Sequence, residues 1–289
     1  MRKLFIKELL KSNKNKKNYL LINDLGYSII EPFKKKYPDR IFNAGVSEQN
    51  MMGMAAGIAS ENCNVFVYSI ANFSTFRCAE QIRNDVDYHK LPVTIVSVGS
   101  GVGYGNLGYT HHALQDYALM RSFPNMQILS PGNNNELIAL LNYIQKNPRP
   151  SYLRLDKTEH EEVEFKKIPV SSGSIVKLID GNKKKILLTT GSIQNLAKNI
   201  KLKKYKNHSL YSMPIWGMKA KNKVKNIIKK FDEIITVEDH FYDGGFGSWL
   251  KECINDTNIK TIIISKYIRP EVINEVGSRE YLLKKYGPK

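Results

Sequence analysis

An α/β fold of two units, each a mostly parallel sheet flanked by helices, follows from three features of this 289-residue sequence. Short apolar runs such as VTIVSV at Val93–Val98 read as buried strands, and stretches with helical spacing separate them. The alternation dissolves in EEVEFKKIPVSS at residues 161–172, then resumes. Parallel neighbours need crossovers, usually helices, so the rhythm itself argues for parallel sheets. The length also favours two domains, which gives units at 1–160 and 173–289 joined by the linker 161–172.

In chain order, a helix over residues 2–11 precedes a strand at Tyr19–Asn23 that ends in Asp24. A strand leading to Phe42 is followed by a helix at Gln49–Ser60, where Met51, Met54 or Ala55, and Ile58 keep helical spacing. Next come a strand at Val65–Tyr68, a helix at Thr75–Val86 and the strand Val93–Val98. Five glycines between 99 and 108 form a loop that suits close approach of backbone to a ligand. A helix at Leu114–Arg121, a strand at Met126–Leu129, a helix at Asn135–Gln145 and a strand at Tyr152–Leu155 close the first unit. In the second, strands at Lys185–Thr189, Ser209–Ser212, Glu233–Val237 and Ile259–Ile264 alternate with helices at Ile193–Ile200, Lys221–Lys230 and Phe246–Cys253.

The net charge of +17 raises the question of nucleic acid. Its lysines cluster at 14–17, 34–36, 183–185 and 219–230, without arginine–aromatic interleaving or a recognition motif. They read as solvated faces that could concentrate phosphorylated substrates. Cys63, Cys78 and Cys253 are odd in number and lack a CxxC pair, which fits a reducing cytosol without a zinc site. MRKLFIKELLKSNKNKK is a poor signal peptide, and no stretch reaches the length of a membrane span. The expectation is a cytoplasmic protein with neither nucleic-acid nor membrane partners.

Glu48 stands at the start of a helix, where a carboxylate meets the positive end of the helix dipole. By itself that describes an ordinary first-turn glutamate. Gly103, Gly105 and Gly108 match GxGxxG, but Tyr109-Thr110-His111-His112 separates them from the next helix, and Met126–Leu129 ends at Ser130-Pro131 instead of an acidic residue. Dinucleotide binding is therefore disfavoured. His111 and His112 are adjacent and cannot share a metal as i, i+4 pairs do.

Taken together, GVSEQN at 45–50, the Ala/Gly-rich helix after it, Tyr68–Asp85 with AEQIRND, and Tyr109–Asp116 closely resemble the pyrimidine-binding domain of transketolases. TVEDH at 236–240, GGFG at 244–247 and the tail GSREYLLKKYG resemble the family's C-terminal domain, so the resemblance covers essentially the whole chain. It implies a thiamine diphosphate site. There Glu48 bonds the aminopyrimidine ring nitrogen and controls its proton, Phe73 and Phe76 stack on the ring, and Asp24, Leu25 and Gln81 complete the cofactor contacts. His111 would meet hydroxyls at the donor's reacting end, with the role of His112 open. Arg154, and more loosely Arg2, match phosphate-binding arginines, although Arg154 could equally make an inter-domain salt bridge.

Three departures qualify this. No Gly-Asp-Gly run followed by asparagine occurs, so the diphosphate and Mg2+ are expected on an N-terminal partner subunit, with self-association into a dimer of heterodimers. Leu107 stands where the family loop carries a carboxylate, and a histidine used for acceptor phosphate is replaced around Gly99. The implied function is the C-terminal subunit of a two-component transketolase that moves a two-carbon ketol unit from a ketose or its phosphate to an aldehyde. The alternative is a beta-type subunit acting on a 2-oxoacid or on an activated sugar for surface polysaccharide.

Overall fold

The computed structural model describes residues 1–13, 17–158 and 167–289. Its strands among those residues are β1 (Asn18–Ile22), β2 (Ile41–Asn43), β3 (Asn64–Ile70), β4 (Val93–Val98), β5 (Gln127–Leu129), β6 (Ser151–Leu155), β7 (Val176–Ile179), β8 (Asn182–Thr189), β9 (His208–Ser212), β10 (Ile215–Trp216), β11 (Glu233–Val237) and β12 (Ile262–Lys266). They form a seven-stranded sheet, β10-β5-β6-β4-β3-β1-β2, and a five-stranded sheet, β12-β11-β8-β9-β7. Both are parallel except at one edge, where β10 runs against β5 and β7 against β9. The α/β reading of two mostly parallel sheets holds.

Apolar runs account for the sheet interiors. Every residue of β4 and of β6 is buried, as expected for parallel strands covered on both faces. One core packs the helix Glu48–Ser60 through Met51, Met52 and Ala55 against Val65, Val67 and Ile95. The other face is filled by Phe5, Ile6 and Leu9 of the helix Arg2–Ser12 with Phe66, Val96 and Leu153. β1 lies between β2 and β3, so consecutive connections leave it in opposite directions. The crevice beyond the carboxyl ends of β1 and β3 is the switch point where such sheets bind ligands.

Four details depart from the sequence reading. The single helix expected at Thr75–Val86 is broken into a helix at Ala71–Thr75, a 3-10 turn at Phe76–Cys78, a turn at Ala79–Gln81 and a π-helical segment at Ile82–Asp87. Ser74 and Thr75 donate their hydroxyls back to the Ile70 and Ala71 carbonyls, an arrangement that bends a helix. β12 starts three residues later than expected, because Thr261 Oγ1 donates to the Ile228 and Phe231 carbonyls and holds the approaching chain. β7, β10 and the helices Glu31–Lys36 and Arg279–Tyr286 have no counterpart in that reading. The linker expected at 161–172 falls partly on 159–166, outside the described residues. Beyond it, Ile215 and Trp216 return to pair with Leu129 and Ile128 of the first sheet.

Arg154 joins the two units. Its Nε donates to Asp116 Oδ2 at 2.7 Å, its Nη1 to Asp239 Oδ1 at 2.5 Å and its Nη2 to the Ala113 carbonyl at 2.6 Å. The guanidinium stacks over Tyr117 at 4.3 Å, and the side chain is fully buried. This corrects the phosphate-binding role expected of Arg154. Every donor group is turned inward, and the inter-domain salt bridge is what the residue forms.

Two predictions concern stability. Arg154→Met strands the carboxylates of Asp116 and Asp239 in the interior and should cost about 3–5 kcal/mol, read as a lower urea midpoint. In the second unit, burial pushes the Glu238 carboxyl up to about 7 despite bonds from Gly247 N and Thr236 Oγ1. A raised folded-state value contributes stability that is fully present below the ordinary carboxylate range and is lost as pH rises through about 7. His240 runs the other way. Burial lowers it to about 4, so its contribution is present above the usual histidine value and lost as pH falls through about 4. Urea midpoints at pH 5 and pH 8 should therefore show Glu238→Gln gaining on the wild type as pH rises.

Candidate active site

The candidate residues gather where β1, β2, β3 and β4 end. Glu48 begins the helix Glu48–Ser60 after β2 and is only 5% exposed. Its Oε1 accepts from Asn23 Nδ2 at 2.9 Å and from Arg77 Nη1 at 2.7 Å. No bond reaches Oε2 from the described residues. A cleft of about 440 Å3 lined by Val46, Ser47, Glu48, Gln49, Asn50 and Arg77 opens there. Arg77 also borders a second cleft of about 460 Å3, formed with Asn72, Phe73, Phe76, Tyr109, Thr110 and Gln115.

The guanidinium of Arg77 lies over the Phe73 ring at 4.2 Å while it pairs with Glu48. Phe73 meets His111 edge-on at 5.3 Å. Phe76 is 46% exposed, which is unusual for a large apolar ring and suits contact with a flat partner. His111 Nδ1 pairs with Thr110 Oγ1 at 2.9 Å. Desolvation, then the Arg77 charge, lower its proton affinity, so the ring is neutral at pH 7 and can both donate and accept. Asn72 donates Nδ2 to the His112 carbonyl at 2.8 Å, fixing the histidine pair beside β3. His112 itself is fully buried.

Asp24 lies at the end of β1 with φ +59°. It accepts from Tyr27 Oη at 3.1 Å and Asn43 Nδ2 at 3.3 Å, while Asn43 Oδ1 takes the Asp24 backbone N–H at 2.9 Å. Leu25 is half-buried beside it. Gln81 borders neither cleft, and its buried Oε1 has no bonding partner.

The glycine loop packs closely on the protein itself, and Gly103 and Gly105 also border a cleft. A side chain on Gly99 would collide with the Tyr104 ring at 2.2 Å, and one on Gly105 with the Gly277 carbonyl at 2.5 Å. Its close approaches are to the protein's own chain. That packing lays Leu107, 54% exposed, on a further cleft of about 270 Å3 with Arg2, Tyr104 and Lys157. Lys157 Nζ lies 4.5 Å above the Tyr104 ring, and that ring is 6.3 Å from His111.

The family described as "Transketolase, pyrimidine binding domain" matches residues 12–162. A putative transketolase C-terminal section of Methanocaldococcus jannaschii is 32% identical, covering 99% of this chain and 92% of its own. This chain belongs to the transketolase family. One of the subunits of an apulose-4-phosphate transketolase from Actinobacillus succinogenes is 30% identical over 89% of this chain and 84% of its own. A solved structure described as a split gene transketolase, inactive beta4 tetramer, superposes with a TM-score of 0.81 at 26% identity, over 100% of this chain and 93% of that one.

Within this transketolase fold, Arg77, Asn72, Tyr104 and Lys157 line the candidate clefts and Asn23 bonds Glu48, and the sequence reading had singled out none of them. Lys157 had a usable signal, since it follows the end of β6, where α/β sheets hold ligands, whereas Arg154 lies inside the strand. Asn23 had a weaker one, as the residue between β1 and Asp24. Among the described residues no group of three His, Cys, Asp or Glu could hold a metal, and no helix is long and apolar enough to cross a membrane.

Proposed function

We propose that this chain is the pyrimidine-binding component of a two-component, thiamine diphosphate-dependent transketolase. One observation carries the reading: Glu48 is buried at a helix start, bonded through Oε1 alone among the described residues, and borders a cleft that Arg77 shares with one lined by Phe73 and Phe76, beside His111. These residues fit an aminopyrimidine, which needs a carboxyl oxygen in its ring plane and aromatic faces beside it. Thiamine diphosphate would supply the thiazolium carbon that takes up and passes on a two-carbon ketol unit.

The chain's own part is binding and proton control. Glu48 holds a proton at the ring nitrogen, Phe73 and Phe76 orient the ring, and Asp24 and Leu25 border its far end. His111, neutral and next to Phe73, bonds substrate hydroxyls. Lys157 and Arg2 give the cleft beyond Tyr104 a positive end suited to a sugar phosphate. The diphosphate and Mg2+ are assigned to an N-terminal partner subunit, because the sequence lacks the Gly-Asp-Gly run that would bind them. The assembly would be a dimer of heterodimers, cytoplasmic, taking a ketose phosphate as donor. Leu107 favours a substrate range shifted from pentose phosphates, with an activated sugar or a 2-oxoacid as the competing substrate classes.

Two measurements test this reading. Glu48→Gln, in the complex with its partner, should fold normally yet slow exchange of the thiazolium proton by about a hundredfold or more. Exchange at the wild-type rate would make Glu48 only a helix-start residue. Leu107→Asp should move relative kcat/KM about tenfold towards 2-hydroxyaldehyde phosphates over deoxy acceptors, since an apolar side chain cannot bond the hydroxyl. An unchanged ratio would place Leu107 outside the substrate path.

A further inference from the structure

We infer that Asn23 is the positioning residue for Glu48: by bonding one carboxylate oxygen it fixes the carboxylate plane and reserves the other oxygen for a ring nitrogen. The inference rests on the functional reading above. Two donors converge on Oε1 and none of the described residues bonds Oε2. A carboxylate bonded evenly at both oxygens would have to break a bond before it could meet a ligand. This one need not.

The two donors are not equivalent. Arg77 is 49% exposed, so water screens its ion pair and its long side chain can swing away. Asn23 is 2% exposed and Glu48 5%, so their bond is made in a dry environment where a donor to a charged group counts for more. Asn23 also follows directly on β1, whose Ile22 is in register with Asn43 of β2 and Tyr68 of β3. Its position is therefore set by the stiffest part of the fold, as a supporting residue requires.

A second observation separates this role from ordinary packing. Asn23 Oδ1 is buried without a partner among the described residues. A buried acceptor left unpaired is destabilising, so the amide is not there to stabilise the free chain. Its donor half serves Glu48. Its acceptor half faces nothing in the described residues that can donate.

The test uses the complex of this chain with its partner, thiamine diphosphate and Mg2+. For Asn23→Ala, Asn23→Gln and Asn23→Asp it measures thermal midpoint, cofactor affinity by calorimetry, and thiazolium-proton exchange across pH. Asn23→Ala should slow exchange by about tenfold while the midpoint and the affinity stay close to wild type. Asn23→Gln, which keeps the donor, should recover part of the rate. Asn23→Asp should shift the exchange profile to higher pH by about one unit or more, because two carboxylates in contact share a proton. Should Asn23→Asp fail to fold, the Ala and Gln variants decide alone. Wild-type exchange in Asn23→Ala, or a loss of rate matched by losses of midpoint and affinity, would overturn the positioning role while leaving Glu48 in place. Wild-type exchange in Glu48→Gln would instead remove the functional reading, and this inference with it.

Discussion

Arg154 has no solvent contact, and its hydrogens go to both units at once: Asp116 and the Ala113 carbonyl on one side, Asp239 on the other. One cation between two carboxylates leaves a local excess of negative charge. Burial keeps His240 neutral nearby, with Nε2 only 3.6 Å from Asp116, so it does not cancel that excess. Such a cluster gains little net stability, because desolvating three charges offsets most of their attraction. What it does contribute is registry. Only one placement of the second unit satisfies Arg154, and in that placement Ser192 Oγ also bonds Ser100 Oγ of the first unit at 2.6 Å.

The candidate site depends on that registry through the tail. Arg279 Nη1 donates to both oxygens of Asp156 at 2.8 Å, and Gly277 N donates to the Gly105 carbonyl at 3.2 Å. These contacts hold the turn carrying Leu107 against the second unit. They also set the wall on which Tyr104, Lys157 and Arg2 meet. The Glu48 cleft is built otherwise, from residues 46–50 after β2 and Arg77 of the turn Phe76–Cys78. The Glu48 cleft is thus a property of one sheet, whereas the Leu107 cleft is shared between two units.

The legible parts of this molecule were those with strong local periodicity. VTIVSV could be little but a buried parallel strand, and Glu48 stood in a run whose helical spacing was plain. The break at Ala71–Asp87 was hidden, since Ser74 and Thr75 act through hydroxyl bonds that carry no periodic signal. β10 is two residues long and its partner strand is 86 residues away at the Ile215–Leu129 pair, so no local pattern could announce it. Arg154 is open in the sequence between two roles because a guanidinium reads the same beside a phosphate as between two aspartates. Only burial separates them. Lys157, three residues on, lies past the end of the strand instead of within it.

The distribution of unmet hydrogen bonds carries the argument about the site one step further. Asn23 Oδ1, Ser69 Oγ and Asn72 Oδ1 are buried side-chain atoms without partners among the described residues, and each lies within two residues of the end of β1 or β3. Interiors normally pair such atoms, because each one left alone costs about 1–3 kcal/mol. Asn23 also bonds Glu48, whose ion-pair partner Arg77 covers the Phe73 ring. A sequence optimised only for the stability of the free chain would have replaced some of these amides with apolar residues of similar shape. Arg77, half exposed, presents one planar cation to both the Glu48 carboxylate and the Phe73 face.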